Sequence, residues 1–414
     1  MEIILLDELS FDNFANLHPA YCYYQTSAYG SLMGKNGFNP YYIGLKENGT
    51  IIAATLIMAK MERGKSKMGY CPRGFLIDWN DYELVKTFTE LIKAFLSKRG
   101  FIYLKIDPFI IYKEHNRKGE YLPNSFSNED FVKNLQDLGY IHLGYNNGFE
   151  AQKHRWNAIN RINTNTKLMY NEFDKSTRDK IVTSVKDGCK VYRGNINDLN
   201  ILYSLIDDKN KPPIDYYLDY YEFFSPNNGF ELYFTKLESI DYVNSSKILY
   251  EKEEEKNNEL NLKIQNIDED NKEQLINEKM KSDELIGIYK KNMLIAINLF
   301  QNYPSGIIIA GAALIKHKDV ITFIANGYNK DFEDHFPNYL LNWSILQDAA
   351  AKGFKTVDFN GIHGDFINIQ EPLKIDFANV IVEYVGEFDL VIDKKAYYTN
   401  KSINPILNWL NTPI

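Results

Sequence analysis

The sequence has few cysteines and no long apolar segment. Its 414 residues contain Cys22, Cys71 and Cys189, an odd number at wide spacing. This pattern favours a reducing compartment and argues against a zinc cluster, so no metal site is predicted. The longest apolar stretches, Ile51–Ala59 and Gly306–Ile315, are far shorter than the roughly 20 residues that a membrane-spanning helix needs.

The amino terminus lacks the pattern of a secretory signal. Residues 1–8 include acidic residues but neither a basic segment nor a cleavage site, so we expect a cytoplasmic protein. A hydrophobic fraction of 44% excludes a disordered chain, and the length predicts roughly two or three domains. The net charge of −8 argues against a protein that coats nucleic acid, but it leaves room for a local basic site.

Proline and glycine are absent from Glu238 to Glu284. Apolar residues such as Leu260 and Ile264 recur there at steps of three and four between charged positions, and this periodicity lapses at Asp268–Asn271. Such spacing is typical of a coiled-coil seam. We therefore predict an antiparallel helical hairpin over residues 239–291 that projects from a globular body. A disordered acidic linker is the alternative.

The remaining sequence contains one order of elements twice. Two strands, a long helix, a glycine and a further strand are predicted in each half. The first set is Ile51–Met58, Gly69–Asp78, Tyr82–Lys98 and Phe101–Asp107. The second set is Ile307–Ile315, Val320–Ala325, Tyr339–Ala351 and Phe354–Phe359. We predict a first domain at residues 1–160, a second at 161–238 and 292–395, and a carboxyl-terminal segment, 396–414, that packs back on the body.

Several segments resemble the Fem-type (FemABX) aminoacyltransferases that build peptidoglycan cross-bridges. They lie in order along nearly the whole chain and are Tyr70–Asp78, Phe173–Ile181, Pro337–Trp343, Asp358–Gly364 and Val382–Leu390. The resemblance implies an α+β protein with two tandem GNAT-like (acetyltransferase-like) domains and an inserted antiparallel coiled-coil helical hairpin.

The resemblance also implies a reaction and its partners. Such enzymes transfer an amino acid from an aminoacyl-tRNA to a free amine on the stem peptide of a peptidoglycan precursor. The precursor is lipid-linked or nucleotide-linked, and peripheral contact with the inner face of the membrane is conceivable. An ester becomes an amide, with aminoacyl-tRNA as co-substrate and neither a cofactor nor a metal.

Lys374 is the candidate catalytic residue. When an amine attacks an ester, negative charge develops on the carbonyl oxygen, and a cation aimed at that oxygen stabilises the transition state. The resemblance places Lys374 on the lysine of the family's Phe-Lys motif, with Leu373 in place of the phenylalanine and Phe377 as a later aromatic that contacts substrate. The alternative for Lys374 is a surface lysine at the entry to a strand.

Recognition of the precursor calls for cations, because its pyrophosphate and carboxylates are anionic. Arg178 lies in the family's Thr-Arg motif, in a basic tract that includes Lys186; an ordinary solvated helix face is the alternative. Arg73 is predicted in a tight turn between strands, where it either contacts substrate or ties the two domains together. Lys35 follows Met33, which stands about where the family often has a phosphate-binding lysine.

Aromatic and histidine residues give weaker candidates. Tyr216 and Tyr220 belong to a tyrosine run at helical spacing and are assigned to substrate binding, with packing as the alternative. His363 stands where a general base could act, although a structural role is favoured. His154, His317 and His335 show no spacing of metal ligands.

Three other functions remain open. An acyl-CoA-dependent N-acyltransferase would need a glycine-rich pyrophosphate loop, and the sequence contains no such run. A non-enzymatic tRNA-binding scaffold would explain the hairpin but not two α+β units. Aminoacyl-tRNA-dependent transfer to another acceptor, such as a protein amino terminus or a lipid, is the third.

Overall fold

A computed structural model describes residues 1–61, 67–123, 128–207, 211–266, 272–366 and 371–403. In these ranges the chain forms a mixed α/β structure built on two β-sheets, as predicted. No helix within them combines the length and the apolarity that crossing a membrane requires.

The elements follow one another in two groups. The first comprises β1 (Glu2–Leu5), α1 (Glu8–Leu17), α2 (Ser27–Lys35), β2 (Asn39–Glu47), β3 (Thr50–Met61), β4 (Lys67–Arg73), α3 (Tyr82–Ser97), β5 (Phe101–Pro108), β6 (Ile111–His115), α4 (Glu129–Asp137) and β7 (Tyr140–His142). The second comprises β8 (Trp156–Arg161), α5 (Thr166–Asn171), α6 (Lys175–Lys186), β9 (Cys189–Gly194), α7 (Leu199–Leu205), α8 (Ile214–Phe224), β10 (Phe230–Leu237), α9 (Ser239–Gln265), α10 (Lys272–Asn302), β11 (Ile307–His317), β12 (Val320–Tyr328), α11 (Pro337–Ala351), β13 (Thr356–Gly361), α12 (Pro372–Phe377), β14 (Val380–Tyr384), β15 (Phe388–Val391) and α13 (Lys394–Ile403). Short 3₁₀ helices cover Ile196–Asp198, Ser225–Asn227 and Lys330–His335.

The predicted repeat of elements is present. In the first sheet β3, β4, α3 and β5 follow in order, and in the second β11, β12, α11 and β13 do the same. In each repeat the strands that flank the helix, β4 with β5 and β12 with β13, pair in parallel. The helix α3 begins at its N-cap Asp81, which accepts a hydrogen bond from the Leu84 N–H at 3.0 Å, and buries Phe88 and Ile92 against the first sheet.

The two sheets exchange strands across the predicted domain boundary. The first sheet has the order β1-β2-β3-β4-β5-β15-β7 and the second β6-β14-β8-β13-β12-β11-β10-β9. The segment Val382–Leu390, predicted as one strand, is instead divided between β14 in the second sheet and β15 in the first. Gly386, with φ of +90°, lies between them and lets the chain turn from one sheet to the other. The division at residues 160 and 161 stays a prediction about domains, but the hydrogen-bonded sheets cross it.

The segment predicted as a hairpin contains two long helices that pack against each other. Ser239 Oγ, at the start of α9, donates to Tyr303 O just beyond α10, and Asn257 Nδ2 donates to Asp283 Oδ1 at 2.8 Å further along. These pairs show that the helices run in opposite directions. The predicted turn at Asp268–Asn271 lies outside the described residues, and α10 continues past the predicted end at residue 291. A coiled coil stays a prediction.

The carboxyl-terminal helix α13 packs on the first sheet. Tyr397 is buried, its hydroxyl donates to Asp389 Oδ2 at 2.8 Å, and its ring lies 5.4 Å from that of Tyr103. This part of segment 396–414 therefore returns to the body. Residues 404–414 lie outside the described residues.

Candidate active site

The parallel strands β12 and β13 separate after a short paired stretch. Their last paired residues are Thr322 and Asp358. Asn360 follows in a left-handed conformation, with φ of +69°, and its Nδ2 donates to Phe323 O at 3.1 Å. Against β8 the register of β13 also shifts between Asp358 and Gly361. The sheet therefore opens at the carboxyl end of β13, beside the amino terminus of α11.

Lys374 lies at this opening. The short helix α12 begins at Pro372, a residue whose fixed φ suits the first helical turn. Lys374 Nζ donates to Gly361 O at 2.6 Å. Burial lowers the pKa of Lys374, whereas the carboxylates of Glu371 and Asp358 act in the opposite direction. The side chain is thus held inside the site by the end of β13, and it is not a freely solvated surface lysine.

An open cleft of about 910 Å³ lies on one side of the separated strands. Its walls come from the ends of β12 and α7, from the first turn of α11 and from α12. They include Gly327, Tyr328, Asn338, Glu371 and Lys374. Lys374 therefore lines an accessible cleft, as does Lys330, whose ammonium is paired with Asp207 at 2.9 Å.

A smaller cavity of about 50 Å³ lies between the two sheets. Its lining includes Tyr24 and Arg73 from the first part of the chain and His154, Asn157 and Asp358 from the second. Asn157 Nδ2 donates to both oxygens of Asp358, at 2.9 and 3.1 Å. Burial raises the pKa of Asp358. The cavity is thus built from both halves of the molecule.

Gly361 lies between Lys374, which lines the cleft, and His154, which lines the cavity. Its carbonyl oxygen accepts the hydrogen bond from Lys374, and the ring of His154 lies where a Cβ atom of residue 361 would stand. Only glycine fits here without displacement of the ring. The ammonium on the cleft side and the imidazole on the cavity side are therefore positioned by one residue of β13.

Arg73 joins the two sheets at the cavity wall. It ends β4 in a left-handed conformation, with φ of +52°, and its N–H donates to Asp107 Oδ1 at 2.7 Å. Its guanidinium donates to His154 O at 2.7 Å and lies 4.2 Å from the ring centroid of Tyr384 in β14. Burial raises the pKa of Asp107 to about 6, although the charge of Arg73 opposes this shift. Arg73 therefore ties the two sheets together and lines the cavity, and its contact with substrate stays a prediction.

A buried lysine and several tyrosines lie behind this wall. The ammonium of Lys153 is 4.0 Å from the ring centroid of Tyr24 and donates to Tyr29 Oη at 3.3 Å. Burial lowers the pKa of Lys153 to about 7. The rings of Tyr216 and Tyr220 lie 5.0 Å apart on α8, and Tyr220 is buried in the same hydrophobic core as Tyr29. Both tyrosines are therefore packed behind the segment that lines the cavity.

Two members of the predicted basic tract lie apart from this site. Arg178 Nη1 donates to Asn171 O at 3.1 Å and to Phe173 O, so its guanidinium satisfies carbonyl groups at the end of α5. Lys186 is exposed at the edge of a surface groove of about 490 Å³ that also contains Trp343. The helix α6 carries both residues, but it does not bring them to Lys374.

Lys35 and Phe377 have partners that the sequence did not indicate. Lys35 Nζ forms ion pairs with Asp219 at 2.7 Å and Glu222 at 2.6 Å, and hydrogen bonds to these carboxylates raise its pKa. Phe377 is fully buried, and its ring lies 5.1 Å from that of Phe173. Phe377 therefore fixes α12 in the hydrophobic core, and α12 in turn carries Lys374.

Among the residues of the cavity, sequence reasoning gave a possible functional role only to Arg73. His154 was considered only as a metal ligand, and Lys153 and Asn157 were not considered. The available signal was the basic run Lys153-His154-Arg155, which the structure places directly before β8. In the described ranges, no group of three or more His, Cys, Asp or Glu side chains converges as a metal ion would require.

Comparisons with known proteins agree with this arrangement. A family model described as the FemAB family matches residues 6–404. The chain is 26% identical over 428 residues to a lipid II:glycine glycyltransferase of Staphylococcus epidermidis, covering 98% of this chain and 97% of that protein. It is 24% identical over 413 residues to the aminoacyltransferase FemA of Staphylococcus epidermidis, covering 97% and 96%. The crystal structure of FemX shares the fold, with a TM-score of 0.74 at 19% identity and coverage of 96% and 99%.

Proposed function

The chain belongs to the FemAB family, and from this premise we propose that it transfers an amino acid from an aminoacyl-tRNA to a free amine on the stem peptide of a peptidoglycan precursor. The names of its relatives, a glycyltransferase that acts on lipid II and an aminoacyltransferase, support transfer of an amino acid in cross-bridge synthesis. The observation that carries the proposal is Lys374 at the opening of the second sheet, between an accessible cleft and a cavity shared by both halves.

In this proposal the cleft takes the aminoacyl ester and the cavity takes the amine. The amine nitrogen attacks the ester carbonyl carbon, a C–N bond forms and the C–O bond to the tRNA ribose breaks. The leaving ribose oxygen takes the proton that the amine gives up and is released as a hydroxyl. The ammonium of Lys374, held by Gly361 O at 2.6 Å, stabilises the negative charge on the carbonyl oxygen.

The other residues predicted to contact substrate differ in how well their positions in the structure suit that role. Arg73 lines the cavity, so we assign it to the acceptor side of the reaction. Lys186 and Arg178 belong to an outer surface on α6, where they could meet the anionic parts of the precursor only at a distance from Lys374. Lys35 would have to leave Asp219 and Glu222 to contact a phosphate.

Two features remain part of the proposal. The helices α9 and α10 are proposed to form a coiled-coil arm inserted in the second of two GNAT-like units. Contact with a membrane surface is proposed only if the acceptor is lipid-linked, because the lipid would then bring its stem peptide to the protein.

Transfer of label tests the proposed function. The purified protein is incubated with radiolabelled aminoacyl-tRNA pools and either a nucleotide-linked or a lipid-linked precursor, and a parallel reaction contains acyl-CoA. We expect label in at least one precursor and none from acyl-CoA. Label from acyl-CoA without any transfer from aminoacyl-tRNA would overturn the proposal in favour of an acyl-CoA-dependent enzyme.

A substitution at Lys374 tests the assigned chemistry. Lys374→Ala is expected to lower turnover by roughly 10²–10³-fold, because one cation is lost from the developing charge. The control is Lys86→Ala, which removes an exposed lysine of α3 whose ion pair within the described part of the chain is with Glu83 at 3.9 Å. Single-turnover rates with aminoacyl-tRNA measure the effect. A Lys374→Ala rate equal to that of the control would remove Lys374 from the mechanism.

A further inference from the structure

His154 has an unused ring nitrogen at the boundary between the sheets. Its Nδ1 is buried and has no hydrogen-bond partner among the described residues. Its backbone carbonyl is fixed by Arg73, and its ring packs against Phe149 at 4.7 Å between centroids and against Gly361. The ring is therefore held in one place, with a polar atom that none of the described residues satisfies.

A second unsatisfied atom belongs to the same cavity. Asn157 is 4% exposed, and its Oδ1 is buried without a partner, although its Nδ2 is bonded to Asp358. A buried polar group without a partner costs free energy, so such atoms in one cavity indicate a missing ligand or water. Nη2 of Arg73 donates to His154 O, and Nη1 of Arg73 lies 3.9 Å from Asp107 Oδ2.

The chemistry of the wall selects a hydrogen-bond donor. Asn157 Oδ1 and the Asp358 carboxylate are acceptors, and a neutral imidazole presents Nδ1 as an acceptor when its other nitrogen carries the proton. Burial, together with the charges of Lys374, Lys153 and other cations, lowers the pKa of His154 to about 3. The same surroundings disfavour an ammonium ion, so a small donor that enters is best accommodated as an uncharged amine.

We propose that His154 Nδ1 and Asn157 Oδ1 accept hydrogen bonds from the primary amine of the acceptor and orient its lone pair towards the ester on the Lys374 side of Gly361. This assignment rests on the proposed function and adds to it a pair of substrate-orienting residues. His154 takes no proton in this role. It selects an acceptor that carries a free primary amine in the cavity.

Binding of matched acceptors tests the assignment. The dissociation constants of a stem-peptide precursor and of the same precursor with its amine acetylated are measured by calorimetry. Wild-type protein is expected to bind the free amine about tenfold more tightly, since two hydrogen bonds are at stake. His154→Phe, which keeps an aromatic ring against Phe149, is expected to lower this ratio at least about threefold, because one of the two hydrogen bonds is lost. His18→Phe, at a half-buried position against Phe14, should keep the wild-type ratio.

The binding ratios and the label-transfer assay together separate failure of the His154 assignment from failure of the proposed function. Retention of the wild-type ratio by folded His154→Phe would overturn the assignment while label transfer by the wild type still supports the function. Absence of transfer by the wild type would overturn the function and, with it, the assignment. If thermal melting shows that His154→Phe does not fold, Asn157→Leu takes its place; we expect its ratio to fall at least about threefold, and an unchanged ratio would reject the proposal.

Discussion

The parallel strand pairs of the two sheets begin alike and end differently. In the first sheet β4 and β5 remain paired from Lys67 to Arg73, the last residue of β4. In the second sheet β12 and β13 pair at three positions and then separate. The closed end holds the buried pair of Arg73 and Asp107, whereas the open end holds Gly361 and the ammonium of Lys374.

This difference shows how one order of elements can serve two purposes. A parallel pair that stays closed satisfies its backbone groups within the sheet and leaves no room for a ligand. A pair that opens must satisfy them in other ways, and here Asn360 Nδ2 and Lys374 Nζ bond to the carbonyls of Phe323 and Gly361. The first sheet thus contributes one wall of the cavity and the buried Arg73–Asp107 pair, and the second sheet opens beside Lys374.

Loss of the buried Arg73–Asp107 ion pair is expected to have the largest effect, and it should lower the free energy of unfolding. Asp107→Ala leaves the guanidinium of Arg73 buried without its carboxylate, and loss of one partner of a buried ion pair costs about 3–5 kcal/mol of unfolding free energy. Urea denaturation at pH 7.5 measures the change, and Asp137→Ala at an exposed position on α4 serves as the control. A loss no greater than that of the control would show that the closed end does not hold the sheets together.

Matched glycine substitutions compare the two strand pairs directly. Gly361→Ala places a methyl group on the ring of His154, so the carbonyl that holds Lys374 must move. We expect turnover to fall by about 10- to 100-fold, since small displacements of catalytic groups have effects of this size. Gly69→Ala in the closed pair meets only side-chain atoms, with Leu104 Cδ1 at 3.0 Å, and should leave turnover unchanged. Equal turnover in both variants would contradict the assignment of the open end.

Much of the fold follows from local patterns in the sequence. The apolar runs and the helix periodicity of each repeat predict β3, α3, β11 and α11 to within a few residues, because burial on one face requires those patterns. The strand exchange does not follow from them. The segment Val382–Leu390 mixes apolar residues with Glu383, Glu387 and Asp389 along its whole length, and only Gly386 at positive φ marks the turn that divides it between sheets.

The candidate site was predictable only in part. The resemblance indicated Lys374 by its motif, and it lies at the opening of the second sheet. The partners of Lys35 and Arg178 could not be predicted, since they come from distant carboxylates on α8 and from backbone carbonyls at the end of α5. His154 was missed because its surroundings arise from tertiary packing of Gly361 and Phe149, which leave no periodic pattern.

The smallest expected effect concerns the buried ammonium of Lys153, which lies near the paired end of β4 and β5. Burial lowers the pKa of Lys153 to about 7 from 10.5, so between these values the unfolded chain binds more protons and stability rises with pH. The rise cannot exceed about 1.4 kcal/mol per pH unit for one group. Asp107, with its pKa raised to about 6, acts in the opposite direction only below this window.

Lys153→Met distinguishes the contribution of Lys153 to the pH dependence of stability from that of Lys374 at the open end. Without the buried ammonium, we expect a smaller increase in unfolding free energy between pH 7 and pH 9, measured by urea denaturation at intermediate pH values. A residual slope is still expected, because Lys374 at the open end also has a lowered pKa. Lys86→Met, which removes an exposed lysine, should keep the full slope. If Lys153→Met keeps the same slope as Lys86→Met, Lys153 is charged in the folded protein and the rise belongs to the open end alone.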